Sequence, residues 1–210
     1  MMEDIYKLKE KFSQQLDEFV IDSSSLIYIY RINELDHMVH YFNLVILSEV
    51  YDEIARKNDG LQLILDELLK TENYNTYKRP LFPENREKEQ FFLSKRDLPG
   101  FTDKVKNDLF DNQFYCVHKN KKLNKLSVTD YQLVKAGLIT KIPIITEDKL
   151  IMGVLKESDL FFINSLLVLY LLSEKKIISK EKALKKLFKL SSLGHYSNEI
   201  FKYVFDLFCL

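Results

Sequence analysis

Hydrophobic residues along the chain fall into short solid runs separated by stretches of helical spacing. Four runs are compact: Phe19-Val20-Ile21, Leu44-Val45-Ile46-Leu47, Pro143-Ile144-Ile145 and Leu160-Phe161-Phe162-Ile163. Runs of this length, bounded by polar or turn-forming residues, predict buried strands. Between them the spacing predicts helices over 3–18, from Ser23 onward, over 35–41, from Ser48 to about 58, and over 61–69. Further helices are expected at about 102–115, from Ser127 to Gly137, from Asp148 to Lys156, and over 164–176, 179–192 and 196–208. Strands alternating with helices imply an α/β fold, three layers deep, with a mostly parallel central sheet.

Local signals set the boundaries. Ser127-Val128-Thr129-Asp130 has capping-box spacing, and Ser48 and Ser179 suit N-caps. Periodicity is lost from Glu72 to Asp97, near Pro80, Pro83 and Pro99-Gly100, which marks a helical insert of about 58–115. The expected organisation is an N-terminal helix (1–18), a core domain (19–163) containing that insert, and a C-terminal helical extension (164–210) packed on the domain.

Composition narrows the function. With 31 Lys+Arg against 31 Asp+Glu in 210 residues, no global field attracts nucleic acid, so any such binding rests on local clusters. Two cysteines, Cys116 and Cys209, lie too far apart in sequence for a zinc motif and suit a reducing compartment. The charged N-terminus lacks the apolar core of a signal peptide, and the run Leu160–Leu172 falls short of the roughly 20 residues a bilayer span needs. A cytoplasmic protein is expected.

The candidate chemistry is acidic. Asp22 closes the first strand, Glu53 follows the second, Asp130 opens a helix, and Asp148 follows Ile144-Ile145-Thr146-Glu147. In open α/β sheets ligands bind at the carboxyl ends of strands, where Asp22 and Asp148 fall. Carboxylates sharing a cleft repel one another unless protonated or bound to a cation, and hard ions such as Mg²⁺ take oxygen ligands. No phosphate-binding glycine loop, serine-hydrolase elbow or histidine metal motif is present, and His37 and His40 read as helix surface. Each acid alone is equally an ordinary helix cap; the set, in one order at one rim, points to a metal pocket.

Asp22 followed by Ser23-Ser24-Ser25, Val50-Tyr51-Asp52-Glu53, Leu126-Ser127-Val128-Thr129-Asp130 and Ile144-Ile145-Thr146-Glu147-Asp148 together resemble the PIN-domain family of ribonucleases over residues 19–163. The resemblance implies a PIN-like fold and an endoribonuclease that hydrolyses RNA with Mg²⁺ or Mn²⁺ held by Asp22, Glu53, Asp130 and Asp148. Ser24 and Thr146 would support the site, and Glu49 rivals Glu53 for the second position. Residues 149–201 resemble a small prokaryotic branch of the family, with Lys176-Ile177-Ile178 at a helix end. That branch implies a toxin paired with a small antitoxin protein; family members often dimerise. The alternative is a non-catalytic nucleic-acid- or protein-binding module on a degenerate PIN fold. Of the basic stretches, His118–Lys125 reads equally as a phosphate contact or a connector, and the seven lysines of 175–189 read as a solvated helix face.

Overall fold

The computed structural model describes residues 16, 18–70, 126–156, 160–194 and 196–209. The expected helices at 3–18 and 102–115, the cluster His118–Lys125 and most of the insert lie outside them. The elements run β1 (Glu18–Ile21), α1 (Ser23–Arg31), α2 (Leu35–Tyr41), β2 (Asn43–Val45), α3 (Ser48–Lys57) and α4 (Asp59–Lys70). They continue with α5 (Val128–Thr140), β3 (Ile144–Ile145), α6 (Lys149–Leu155), β4 (Phe162–Ile163), α7 (Ser165–Glu174), α8 (Lys180–Leu193) and α9 (Asn198–Cys209).

The four strands form one sheet in the order β2-β1-β3-β4, and every pairing is parallel. Phe19, Val20 and Ile21 of the central strand are fully buried although successive side chains point to opposite faces. Both faces of β1 are therefore covered, which accounts for a solid apolar run rather than an alternating one. The architecture is α/β and compatible with three α/β/α layers. From β1 the chain moves outward to β2 on one side, and β3 and β4 lie on the other. The carboxyl ends of β1 and β3 thus flank the point where the strand order reverses, the usual place for a ligand crevice.

Three boundaries differ from the sequence expectation. Ser48, expected as a cap, is the first residue of α3, and Leu47 holds the N-cap position without a side-chain cap. Helix α5 does not stop at Gly137; it runs to Thr140 and is followed by Lys141 at φ 59°. Gly137 lies inside the helix because a Cβ there would stand 2.7 Å from Ile144 Cγ1 and 2.8 Å from Leu160 Cδ2. Its missing side chain lets α5 lie against β3, a packing role rather than a terminating one. Asp59-Gly60, expected to end a helix, instead opens α4 after Asn58 caps α3.

The C-terminal helices are integral to the core. Helix α7 buries Leu166, Val168, Leu169, Tyr170, Leu171 and Leu172, so it is apolar nearly all round, as an internal helix must be. It ends in a Schellman turn, with Ile177 N–H donating to Leu172 O and Lys176 N–H to Ser173 O. Lys176 holds φ 58°, where glycine is usual. Helix α9 packs Phe208 edge-on to Tyr170, with ring centroids 5.3 Å apart.

The lysines of α8 are not a uniformly solvated face. Lys186 pairs with Glu34 and donates to the carbonyls of Ile32 and Asn33, and Lys189 donates to Arg31 O at 3.0 Å. These are the carbonyls ending α1, where positive charge is favoured. Glu34 is wholly buried, with His37 Nδ1 at 2.7 Å and Lys182 Nζ at 3.5 Å. His37 is accordingly engaged with Glu34, while His40 stays exposed. Lys180 and Lys185 face solvent, as the amphipathic pattern implies.

Among the described residues, no helix is long and apolar enough to cross a membrane.

Candidate functional site at the carboxyl end of the sheet

Asp22 is the N-cap of α1, delivered to the sheet rim by the end of β1. Its Oδ1 accepts the Ser25 N–H at 2.6 Å; its Oδ2 accepts the Thr146 hydroxyl at 2.5 Å and the Glu147 N–H at 3.0 Å. The parallel register that sets Ile21 beside Ile145 brings these segments together. Burial pushes the Asp22 carboxyl above its ordinary value, against the hydrogen bonds from Thr146, Ser25 and Glu147, which pull it down.

Glu147 is a second carboxylate in this arrangement, close enough for the charge of Asp22 to act on it. Its Oε1 accepts the Ser165 N–H at 2.7 Å, at the start of α7, and a long 3.5 Å hydrogen bond from Ser25 Oγ. Ser25 therefore bridges the two acids, through its backbone to Asp22 and through its side chain to Glu147. Burial raises the Glu147 pKa; hydrogen bonds from Ser165 and Tyr196 oppose the rise, and the charge of Asp22 adds to it. The Ser165 and Tyr196 hydroxyl oxygens are buried beside Glu147 without a hydrogen bond of good geometry. Burial raises the Tyr196 pKa as well, with Glu147 adding to the effect.

The acids expected from the motifs are distributed unevenly. Asp148 caps α6, its Oδ1 accepting the N–H groups of Leu150 at 2.5 Å and Ile151 at 3.2 Å, and its own N–H donates to Thr146 Oγ1 at 3.1 Å. Glu53 is paired with Lys57 one turn along its own helix, and its carboxyl lies near Ser23, the neighbour of Asp22. Partial burial works to raise its pKa, but Lys57, Ser23 and Arg56 together outweigh that and lower it. Glu49 occupies the first turn of the same helix, α3. Asp130 is engaged in a reciprocal capping box: Ser127 N–H and Oγ donate to its Oδ2 at 3.2 and 2.7 Å, and its N–H donates to Ser127 Oγ at 3.1 Å. Among the described residues, no group of three or more His, Cys, Asp or Glu side chains has an arrangement that could hold a metal ion.

A pocket of about 440 Å³ opens beside Glu147. It is lined by Ser24, Tyr28, Glu147, Asp148, Lys149, Leu150, Met152, Asn164, Tyr196 and Ile200. Three of the segments around it follow strand ends (β1, β3 and β4), whereas Tyr196 and Ile200 come from the C-terminal helical region. Compared with protein-family models, curated proteins and solved structures, the chain matches none of them. Its function is therefore argued from this geometry and from the order of its motifs.

Two of the expected residues, Asp22 and Thr146, are bonded to each other, and two more, Ser24 and Asp148, line the adjoining pocket. Neither Glu147 nor Tyr196 is among the site residues the sequence predicts; the helical spacing of Tyr196, Phe201, Tyr203, Phe205 and Phe208 reads as core or partner interface rather than as base-stacking platforms. The run Thr146-Glu147-Asp148 does contain two adjacent acids, and that was the readable signal for Glu147. Tyr196 carried none, because its ring reaches the site only through the tertiary packing of the C-terminal helices.

Proposed function

We propose that the chain is a PIN-like, divalent-metal-dependent endoribonuclease with its active centre around Asp22. The observation that carries this reading is the pair of carboxylates at the topological switch point, buried Asp22 and half-buried Glu147, bridged by Ser25, with Glu147 on the wall of a pocket. Mg²⁺ is commonly held by one or two carboxylates together with waters and substrate phosphates, so this donor set suits it even without a larger acidic cluster. Asp22 and Glu147 would hold the ion, with waters and substrate phosphate completing its oxygen shell. Such an ion acidifies a bound water and offsets charge on a phosphodiester. Thr146 and Ser25 fix the orientation of Asp22, and Ser165 fixes Glu147. Lys149, exposed at the pocket, supplies a positive charge for an RNA phosphate.

Purified protein incubated with RNA and Mg²⁺ or Mn²⁺ tests this reading. Asp22→Asn and Glu147→Gln are expected to lose at least 100-fold in cleavage while keeping the wild-type circular dichroism spectrum. Wild-type rates in both variants would overturn the assignment.

A non-catalytic RNA-binding module is the second reading. It is favoured by the engagement of Asp130 and Asp148 as helix caps, which ties two of the four motif acids to local structure. Calorimetric titration with Mn²⁺ separates the two, since a degenerate site takes up no ion at millimolar concentration.

A further inference from the structure

The hydroxyl oxygens of Tyr196 and Ser165 are buried beside Glu147, and neither has a hydrogen-bond partner of good geometry among the described residues. Buried polar atoms are nearly always paired, so an orphaned hydroxyl against a carboxylate calls for a role. The hydrogen bonds that Ser165 N–H and Ser25 Oγ donate to Glu147, at 2.7 and 3.5 Å, both end on Oε1. They hold one oxygen of the carboxylate and leave its rotation to another group.

Tyr196 is placed to supply that group. It lies between α8 and α9, and its ring meets that of Tyr28, with centroids 6.3 Å apart. Tyr28 belongs to α1, the helix that Asp22 caps. On another side a Cβ at Gly194 would collide with the Tyr196 ring, so the missing side chain of Gly194 permits the approach. A ring confined in this way carries its hydroxyl with little freedom left, and a phenol is a donor where a carboxylate is an acceptor.

We propose that Tyr196 is a positioning residue whose hydroxyl donates to the Glu147 carboxylate and fixes the orientation in which Glu147 serves the ion. The proposal rests on the metal-dependent reading above and names the residue that sets one of its two carboxylates. Tyr196 acts through Glu147 and touches no reacting atom itself. Carboxylates that ligate metals are in turn hydrogen-bonded, and losing such a partner costs about 10–100-fold in metal affinity or activity. The site at the sheet rim is then complete only with the C-terminal segment docked.

The test uses the full chain. Calorimetric titration should show Mn²⁺ affinity at least about tenfold weaker in Tyr196→Phe, which keeps the ring and loses only the hydroxyl. RNA cleavage by this variant should fall by a similar factor at limiting Mn²⁺ and recover as Mn²⁺ is raised, a rescue that lost packing does not give. Gly194→Ala displaces the ring without removing the hydroxyl; it should weaken Mn²⁺ binding likewise and stands in if Tyr196→Phe fails to fold. Without any ion, Tyr196→Phe should lower the urea midpoint of the wild-type chain and leave that of Glu147→Ala unmoved, because alanine offers no acceptor. Equal midpoint shifts in the two backgrounds would overturn the proposal, and so would unchanged affinity in Tyr196→Phe when the wild type binds Mn²⁺. A wild type that takes up no Mn²⁺, with the midpoint shifts still coupled, removes the metal reading and leaves the bond from Tyr196 to Glu147 standing.

Discussion

The Thr146 hydroxyl donates to the Asp22 carboxylate at 2.5 Å, joining the ends of two neighbouring strands across 124 residues of sequence. The same oxygen accepts the Asp148 N–H, so one side chain fixes the N-caps of both α1 and α6. Thr146→Val keeps the shape and removes both interactions. A hydrogen bond to a charged group contributes about 1.5–3 kcal/mol, so a loss of about that size is expected in urea denaturation. A loss below about 0.5 kcal/mol would show that the contact is not formed in solution.

Glu147 gives stability a pH dependence of definite sign. Burial raises its pKa above the ordinary 4.5, so the folded chain holds this proton more tightly than the unfolded chain does. The associated stability is present below the unfolded pKa and is lost as pH rises through the higher folded value. Glu147→Gln removes that loss. Relative to wild type, the variant should gain stability near pH 8 and lose that advantage near pH 4, as read from denaturation midpoints. A variant whose relative stability falls with rising pH contradicts this account.

Gly137 is a test of helix–strand packing. Alanine favours a helix by roughly 1 kcal/mol over glycine, but its Cβ would press on Ile144 and Leu160. Overpacking of this kind costs about 1–3 kcal/mol, so Gly137→Ala should lower stability by up to about 2 kcal/mol net. Thermal denaturation decides the sign; an increase in Tm would mean that α5 shifts freely away from β3.

Lys186 neutralises the buried Glu34 and holds the carbonyls ending α1. Breaking a buried ion pair costs about 3–5 kcal/mol, and the Lys182 ammonium, 3.5 Å from Glu34, reduces that here to about 2–3 kcal/mol. Lys186→Met is expected to lose that much stability, and the double variant with Glu34→Gln should recover part of it. Strictly additive losses in this double-mutant cycle would show that the pair is not coupled.

The strands were legible because each is a short apolar run ending in a polar residue, and β1 shows the rule most clearly, with Asp22 following three fully buried positions. The helix starts at Asp22, Ser127, Asp148 and Ser179 were legible for the same local reason: a side-chain oxygen satisfies a free N–H of the first turn. Sequence spacing was a poorer guide to the site. It selected Asp148 over Glu147, but the alternation of a strand no longer applies past Ile145, and Asp148 turns to cap α6 while Glu147 meets Ser25 and Ser165. Glu34 was invisible for a different reason. Lys182, Lys186 and Lys189 have helical spacing typical of a wet surface, and only the placement of α8 against the end of α1 gives them buried partners.

The contribution of Tyr196 and Ile200 to the pocket wall has a consequence for the order of synthesis. Asp22 and Glu147 are synthesised before Tyr196 and Ile200, so the cavity beside Glu147 lacks a side until the segment through Ile200 has emerged and docked. A nascent chain that has not yet extended past Ile200 thus carries its acidic residues in an open, incompletely walled form. Any activity that depends on the complete wall begins only once that segment has docked.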